Sequence, residues 1–314
     1  MTQDAWYSLH IFLSDPQRGT AFLLDWLQPY QAKLRNEGHT GHWFYLRYWH
    51  GGPHFRVRFA GLNADQQEQL LADARKAAVR WSSPAPPRRA VYYSDHRFDG
   101  QPQDTGTLPW WDEGSVVSMD YEREWVRYGG AKAMHANEAL FELSSTLSLA
   151  IIKASADNFG NRIALALPML SASLLAFDPT GARIAPFFTR YAAYWRGVAG
   201  ETATGALRVI TNGSHRAALD AQIERLRDFT GGSSAEAVWV RGLRQSIARF
   251  EELYRAGELQ SPLHGGVVRT REDYEDAVLA MLGSQMHMMN NRLGFGPAHE
   301  YWFATTLTAA KSPQ

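Results

Sequence analysis

The feature that most constrains this chain is a change of hydrophobic period at Gly129-Gly130. Ahead of that pair, strand-like runs of aromatic and aliphatic residues alternate with helical stretches. Behind it, apolar residues recur at helical spacing. Strands gathered in one part and helices in another point to an α+β body. Residues 1–130 are expected to hold a mixed sheet with helices and residues 131–314 to be mainly helical, the whole forming one domain over 1–314. Trp6–Leu13, Trp43–Trp49 and Phe55–Phe59 read as strands. Thr20–Asn36 has a helical apolar stripe with Gly38 as a stop, and Ala64–Trp81 is amphipathic and ends before Pro84, Pro86 and Pro87. Gly100–Gly114 reads as a long surface loop. The later helices are expected at Ala136–Ala156, Ile163–Phe177, Ile184–Val198, Ala217–Phe229, Ala235–Ala256 and Arg271–Asn291. Gly231–Ser234 is a loop or a helix start, and there is no internal repeat.

Charge and composition remove several functional classes. The 314 residues carry 32 basic and 32 acidic side chains, a formal net charge of zero, and no basic tail, which argues against extended nucleic-acid binding. Only Lys33, Lys76, Lys132, Lys153 and Lys311 are lysine, so it is the placement of the arginines and not their number that carries information. No apolar run is expected to reach membrane-spanning length, and the N-terminus lacks the order of a signal peptide. Without cysteine there is no disulfide, thiolate nucleophile or Cys-based metal site, and a cytoplasmic location is expected.

Three stretches carry the candidate chemistry. In Phe55–Phe59 the period of two puts Arg56 and Arg58 on one strand face and Phe55, Val57 and Phe59 on the other. Two guanidiniums on a rigid strand suit a carboxylate, a phosphate or a developing oxyanion; a solvated strand face is the plain alternative. In Tyr121–Gly130, Glu124 stands three residues before Arg127, where it orients or neutralises the arginine or forms a surface salt bridge. In His287–Gly294, His287 and Asn291 share a helix face, and Asn291 and Arg292 are expected chiefly to hold the helix end. Trp110-Trp111 either lines a peptide groove or caps the core beneath its loop. No dinucleotide fingerprint, phosphate loop or HExxH is present. His39 with His42, or His50 with His54, lacks further metal ligands at standard spacing, so neither a metal nor a cofactor is expected.

Taken in order, the runs RYWHGGPHFRVRF, YEREWVRYGG followed by EALFELSS, and HMMNNRLG resemble the glutamate-elimination domain of lantibiotic dehydratases and its free-standing relatives in thiopeptide-type bacteriocin biosynthesis. Trp6–Phe12 and Trp43–Trp49 are similar to the opening of that family, and the resemblance runs from Trp6 to about Leu307. One departure is Ser144 ahead of Ser145, where the family usually has an acidic residue.

The resemblance implies β-elimination of glutamate from O-glutamylated Ser or Thr in a ribosomally made precursor peptide, leaving dehydroalanine or dehydrobutyrine. It implies Arg56, Arg58 and Arg127 as cations for the substrate carboxylate and the enolate, and His287 as the proton-transfer group. Glu124, Asn291, Trp110 and Trp111 fall on the substrate-binding side. It further implies a leader-bearing glutamylated peptide as substrate and a separate tRNA-dependent glutamylating partner, with a homo-oligomer compatible with the scheme and no direct contact with nucleic acid or membrane. Two rivals remain: pyridine synthesis from two dehydroalanines by a formal aza-[4+2] cycloaddition with leader expulsion, and a non-catalytic scaffold that binds the precursor peptide. Because the motifs come from both parts of the chain, a site at their junction is expected.

Overall fold

Alternation in the strands of the first part builds a sheet with two unlike faces. The structure, a computed structural model, describes residues 5–94, 104–156, 158–205, 213–227 and 231–311. Its strands β1 (Trp6–Phe12), β2 (Trp43–Tyr48), β3 (His54–Ala60) and β4 (Val116–Ser118) lie in the order β2-β3-β1-β4. Every pairing is antiparallel, so the mixed character of this part lies in its content of strands and helices and not in strand direction. Leu9, Ile11, Tyr45, Phe55, Val57 and Phe59 are all buried on one face. Helices α1 (Pro16–Phe22) and α3 (Ala64–Trp81) cover that face: Phe22 stacks on Phe55 with centroids 5.4 Å apart and meets Trp81 edge-on at 6.2 Å.

The first helix starts a turn earlier than its apolar stripe suggested. The Asp15 carboxylate accepts from the backbone N–H groups of Gln17 and Arg18, and Pro16 fits the first helical position. The helix runs through a π turn at Leu23–Leu27 into α2 (Gln28–Asn36). The helix α4 (Arg89–Ser94) and the three-residue β4 had no sequence signal, being too short to display a period. Of the Gly100–Gly114 loop, the part before Asp104 lies outside the described residues. The remainder is tied down by Arg89, whose Nη2 donates to the carbonyls of Thr105, Gly106 and Leu108.

The chain divides into two compact units, Met1–Glu122 and Arg123–Gln314. The second consists of α5 (Ala131–Ala154), α6 (Phe159–Phe177), α7 (Ile184–Ala199), α8 (Glu201–Gly205), α9 (Gly213–Arg227), α10 (Ala235–Arg255), α11 (Arg271–Leu293) and α12 (Pro297–Lys311). The expected end of the Ala217–Phe229 helix lies outside the described residues. Helix α10 packs on α5 and α6, α11 on α5, and α12 on α7. Gly129 and Gly130 have φ values of +85° and +90°, open to glycine and strained for other residues. A Cβ on Gly129 would come within 3.0 Å of both Ala133 Cβ and Met281 Sδ, so the pair also permits the close approach of this turn to α11.

Helix α6 corrects one expectation. Its 19 residues are long and apolar enough to cross a membrane by length and composition. Its apolarity has another cause in this fold: 56% of the window is buried inside the protein, with Met169, Leu170, Leu174 and Leu175 in the core of the helical unit.

Candidate functional site

The sheet unit carries the first set of candidate residues. Antiparallel register places Ser8 opposite Arg58 and His10 opposite Arg56 on β1, with Phe44 and Leu46 as the corresponding neighbours on β2. Opposed residues point to the same face, so the arginine face also contains Ser8, His10, Phe44 and His54. It is not a solvated surface. Arg58 is 6% exposed and lies over Tyr121 at 4.2 Å and Phe44 at 5.2 Å, with its Nε donating to Ser8 Oγ at 3.4 Å. Arg56 lies over the Tyr48 ring at 3.5 Å, and its Nε donates to His54 Nε2 at 3.3 Å. Aromatic rings hold both guanidiniums by cation–π attraction.

Two imidazoles share this face. His10 and His54 stack with centroids 4.8 Å apart, and both are buried. Burial, followed by the charges of His54, Arg56 and Arg58, pushes the His10 pKa down to about 2. Burial is likewise the largest influence on His54, and with Arg56 it outweighs the hydrogen bond to the Gly52 carbonyl, leaving the pKa at about 3. Each ring is therefore neutral in the folded protein at pH values where it would charge in the unfolded chain. The resulting stability is present above about pH 6.5 and is lost as the pH falls below it, at a limiting slope of about 1.4 kcal/mol per pH unit for each ring. Urea unfolding at pH 7 and pH 5 is expected to show this loss, and a His10→Phe, His54→Phe double variant should lose less. An equal loss in both proteins would mean that the rings do not titrate in this way.

Trp110 and Trp111 pack on the turn that leads into β3. A Cβ on Gly51 would lie 2.3 Å from the Trp111 ring and one on Gly52 3.4 Å from the Trp110 ring. Trp111 also stacks on Phe12 at 5.2 Å, and its backbone N–H donates to the Gly51 carbonyl at 2.9 Å. Both rings are half-buried, and this packing fits either of the two sequence readings.

The helical unit carries the second set. Glu124 and Arg127 form a 3.4 Å ion pair with side chains 60% and 41% exposed, a geometry worth at most about 1 kcal/mol. The deeper pair from the same run is Arg123 Nε with Glu138 at 2.7 Å, which the sequence did not single out. Arg127 Nε also donates to Ser284 Oγ at 3.2 Å. Ser284 stands three residues before His287 on α11, so a cation and an imidazole share one helix face.

His287 is oriented by a residue that sequence reasoning missed. Its Nδ1 lies 2.6 Å from Glu300 Oε1, and Glu300 itself is 1% exposed. Tyr191 Oη and Asn290 Nδ2 donate to the other carboxylate oxygen at 2.5 and 2.9 Å. Burial, with Glu300 next, raises the Tyr191 pKa well above its usual value, so Tyr191 remains a donor. With Glu300 accepting from Nδ1–H, the tautomer so favoured carries its lone pair on Nε2. The Trp195 ring packs against the imidazole at 4.8 Å. Asn290 is the amide that reaches Glu300, while the Asn291 carbonyl helps close the helix by accepting from Gly294 N–H. Arg292 is fully buried, with Nε and Nη1 donating to Ser145 and Ser144 hydroxyls at 3.0 and 3.1 Å. Ser144 and Ser145 thus help hold the end of α11. Among the described residues no three His, Asp or Glu side chains form a group able to hold a metal ion.

A family model described as the lantibiotic biosynthesis dehydratase C-terminal domain matches residues 6–310. No curated protein sequence matches the chain. Three solved structures are similar in fold. TsrL has 17% identity and a TM-score of 0.64, with 99% of each chain covered. The pyridine synthase TbtD from thiomuracin biosynthesis has 15% identity and a TM-score of 0.70, covering 98% of this chain and 97% of its own. The tRNA-dependent lantibiotic dehydratase MibB from Microbispora sp. 107891 has 19% identity and a TM-score of 0.52 over 99% of this chain, which spans only 28% of MibB.

Proposed function

The chain belongs to the lantibiotic biosynthesis dehydratase C-terminal family, and on that premise we propose that it eliminates glutamate from O-glutamylated Ser or Thr of a precursor peptide. The observation that carries this reading is that Arg127 donates to Ser284, three residues before a His287 oriented by Glu300 on α11. Expelling hydroxide from a bare serine leaves a group whose conjugate acid has a pKa of about 15.7, whereas a glutamyl ester leaves as an α-carboxylate whose conjugate acid is about 3.5. The demanding step is therefore removal of the α-proton. His287 Nε2 takes that proton, the Cα–H electron pair becomes the Cα=Cβ bond, and the Cβ–O bond breaks with its pair on the departing glutamate. Charge that develops on the adjacent amide oxygen calls for fixed cations, each worth about 10²–10³ in rate. Arg127, Arg56 and Arg58 are assigned to that oxygen and to the glutamyl carboxylate; Glu124 orients Arg127.

The proposal includes a separate glutamylating protein that uses charged tRNA, in keeping with the zero net charge of this chain. Precursor peptide incubated with such a protein and glutamyl-tRNA should accumulate as the glutamylated form and become dehydrated once this chain is added. Dehydration by this chain alone from glutamyl-tRNA and unmodified peptide would contradict the division of labour. A dehydrated peptide that becomes macrocyclic and loses its leader, with glutamylated peptide untouched, would establish the pyridine-synthase reading. Peptide bound and never altered would establish a scaffold.

A further inference from the structure

One cavity of the helical unit holds a cation that the elimination reading leaves without a role. It has a volume of about 400 Å³ and is lined by Leu279 of α11, by Phe187 and Arg190 of α7, and by Asp178 and Arg183 ahead of α7. Phe187 and Leu279 are buried and give it an apolar wall. Two of its three charged groups are engaged within the protein. The Asp178 carboxylate accepts from the backbone N–H groups of Thr180 and Arg183 and from the Thr180 hydroxyl. Arg183 is ion-paired with Glu275. Arg190 is exposed and makes no hydrogen bond or ion pair among the described residues. An apolar wall beside an unengaged guanidinium suits a carboxylate on a short apolar stem: the wall takes the methylenes and the guanidinium takes the oxygens.

A seam between α7 and α11 joins this cavity to His287. Arg183 pairs with Glu275, Phe187 and Leu279 share the cavity, and Trp195 packs on His287 at 4.8 Å. Between them, a Cβ on Gly283 would lie 3.9 Å from the Tyr191 ring. Successive turns of α7 thus meet successive turns of α11, and the two helices run in the same direction from the cavity to the imidazole. Ala280, Gly283, Ser284 and His287 form one half-buried face of α11, and the first three have small side chains, so nothing bulky stands on that face ahead of His287. The eight residues from Leu279 to His287 span about 12 Å at the helical rise of ~1.5 Å per residue. An extended peptide covers that distance in about four residues at ~3.3 Å each.

We propose that this cavity receives the side-chain carboxylate of an acidic residue of the precursor peptide, about four positions from the Ser or Thr that is modified, with Arg190 as its cation. The inference rests on the reading of His287 as the reacting group and gives that site a sequence preference. Glutamate suits the cavity better than aspartate, because its two methylenes lie along Phe187 and Leu279 while its oxygens meet Arg190. Glutamine keeps the packing and loses the charge. Lysine would set a like charge against Arg190.

The test uses fluorescently labelled peptides, each with one O-glutamylated Ser. A single glutamate is moved through the second to sixth positions on either side of that Ser, with glutamine at the others. Affinity is read by anisotropy, which needs no turnover. Wild-type protein should bind the peptide with glutamate about four positions away, on one side only, about threefold to tenfold more tightly than the all-glutamine peptide. Raised salt should shrink the difference. Arg190→Gln should bring the ratio to about one, and Arg190→Glu should turn the preference toward a lysine at the same position. Because Arg190 is exposed, these substitutions leave the core untouched. A ratio that does not depend on where the glutamate stands, or one that persists in Arg190→Gln, would overturn the proposal. Peptide bound with the expected preference but never relieved of its ester-linked glutamate would refute the elimination reading alone. Elimination with no preference at any position would refute the role of the cavity alone.

Discussion

Replacing His287 by alanine is expected to lower the rate constant for glutamate loss by about 10²–10⁴ while peptide affinity changes only a few-fold. The imidazole is 26% exposed, so it meets solvent or substrate on one side while Glu300 and Trp195 hold it on the other. Glu300→Gln should approach the same loss without removing the imidazole. A glutamine can present N–H to Nδ1 and favour the tautomer that carries its proton on Nε2. Because the two residues act as one unit, the double variant should be little worse than His287→Ala alone. Losses that simply add would separate Glu300 from the proton transfer. Exchange of the peptide α-hydrogen with deuterated solvent discriminates further: exchange that survives in His287→Ala without elimination would assign the base to another residue.

Arg58→Lys is expected to lower kcat/KM by about 10²–10³, although the charge is retained. Arg58 is buried between Tyr121 and Phe44 and bonded to Ser8, an arrangement for a flat delocalised cation. A lysine ammonium is compact and strongly hydrated, and it has no fork with which to meet two oxygens. A loss of this size corresponds to about 3–4 kcal/mol of transition-state stabilisation. The thermal midpoint serves as the control, since a first-contact role predicts a rate loss far larger than any fall in stability explains. Activity within a few-fold of wild type would remove Arg58 from the reacting groups.

How much of this was legible in the sequence differs residue by residue, for physical reasons. A period of two assigns Arg56 and Arg58 to one face as soon as Phe55–Phe59 is read as a strand. The rings beneath them could not be assigned in the same way: Tyr48 and Phe44 arrive through the register of β2 on β3, and Tyr121 arrives from a distant segment. His54, two residues before Arg56, belongs to the same alternation, and so does His10 on β1; that pattern was the available signal for both. Nothing local marks Glu300. It reaches His287 because Gly294, at φ +85°, ends α11 and turns the chain into α12, whose first turn carries Glu300. Helix α12 itself was not expected, and α6 shows how a buried bundle helix can match a membrane span in length and composition. The Trp110-Trp111 pair left two readings open, a peptide groove or a cap over the core, and its packing on the glycine turn fits both.

The central claim is that this chain breaks the Cβ–O bond of a glutamyl ester. Purified glutamylated precursor peptide, incubated with this protein alone and followed by mass spectrometry, tests it most directly. Loss of one glutamic acid for each modified Ser or Thr is expected, with free glutamate released in equal amount and no further component needed. A glutamylated peptide whose mass stays unchanged, under conditions where the protein is folded and binds it, would contradict the account.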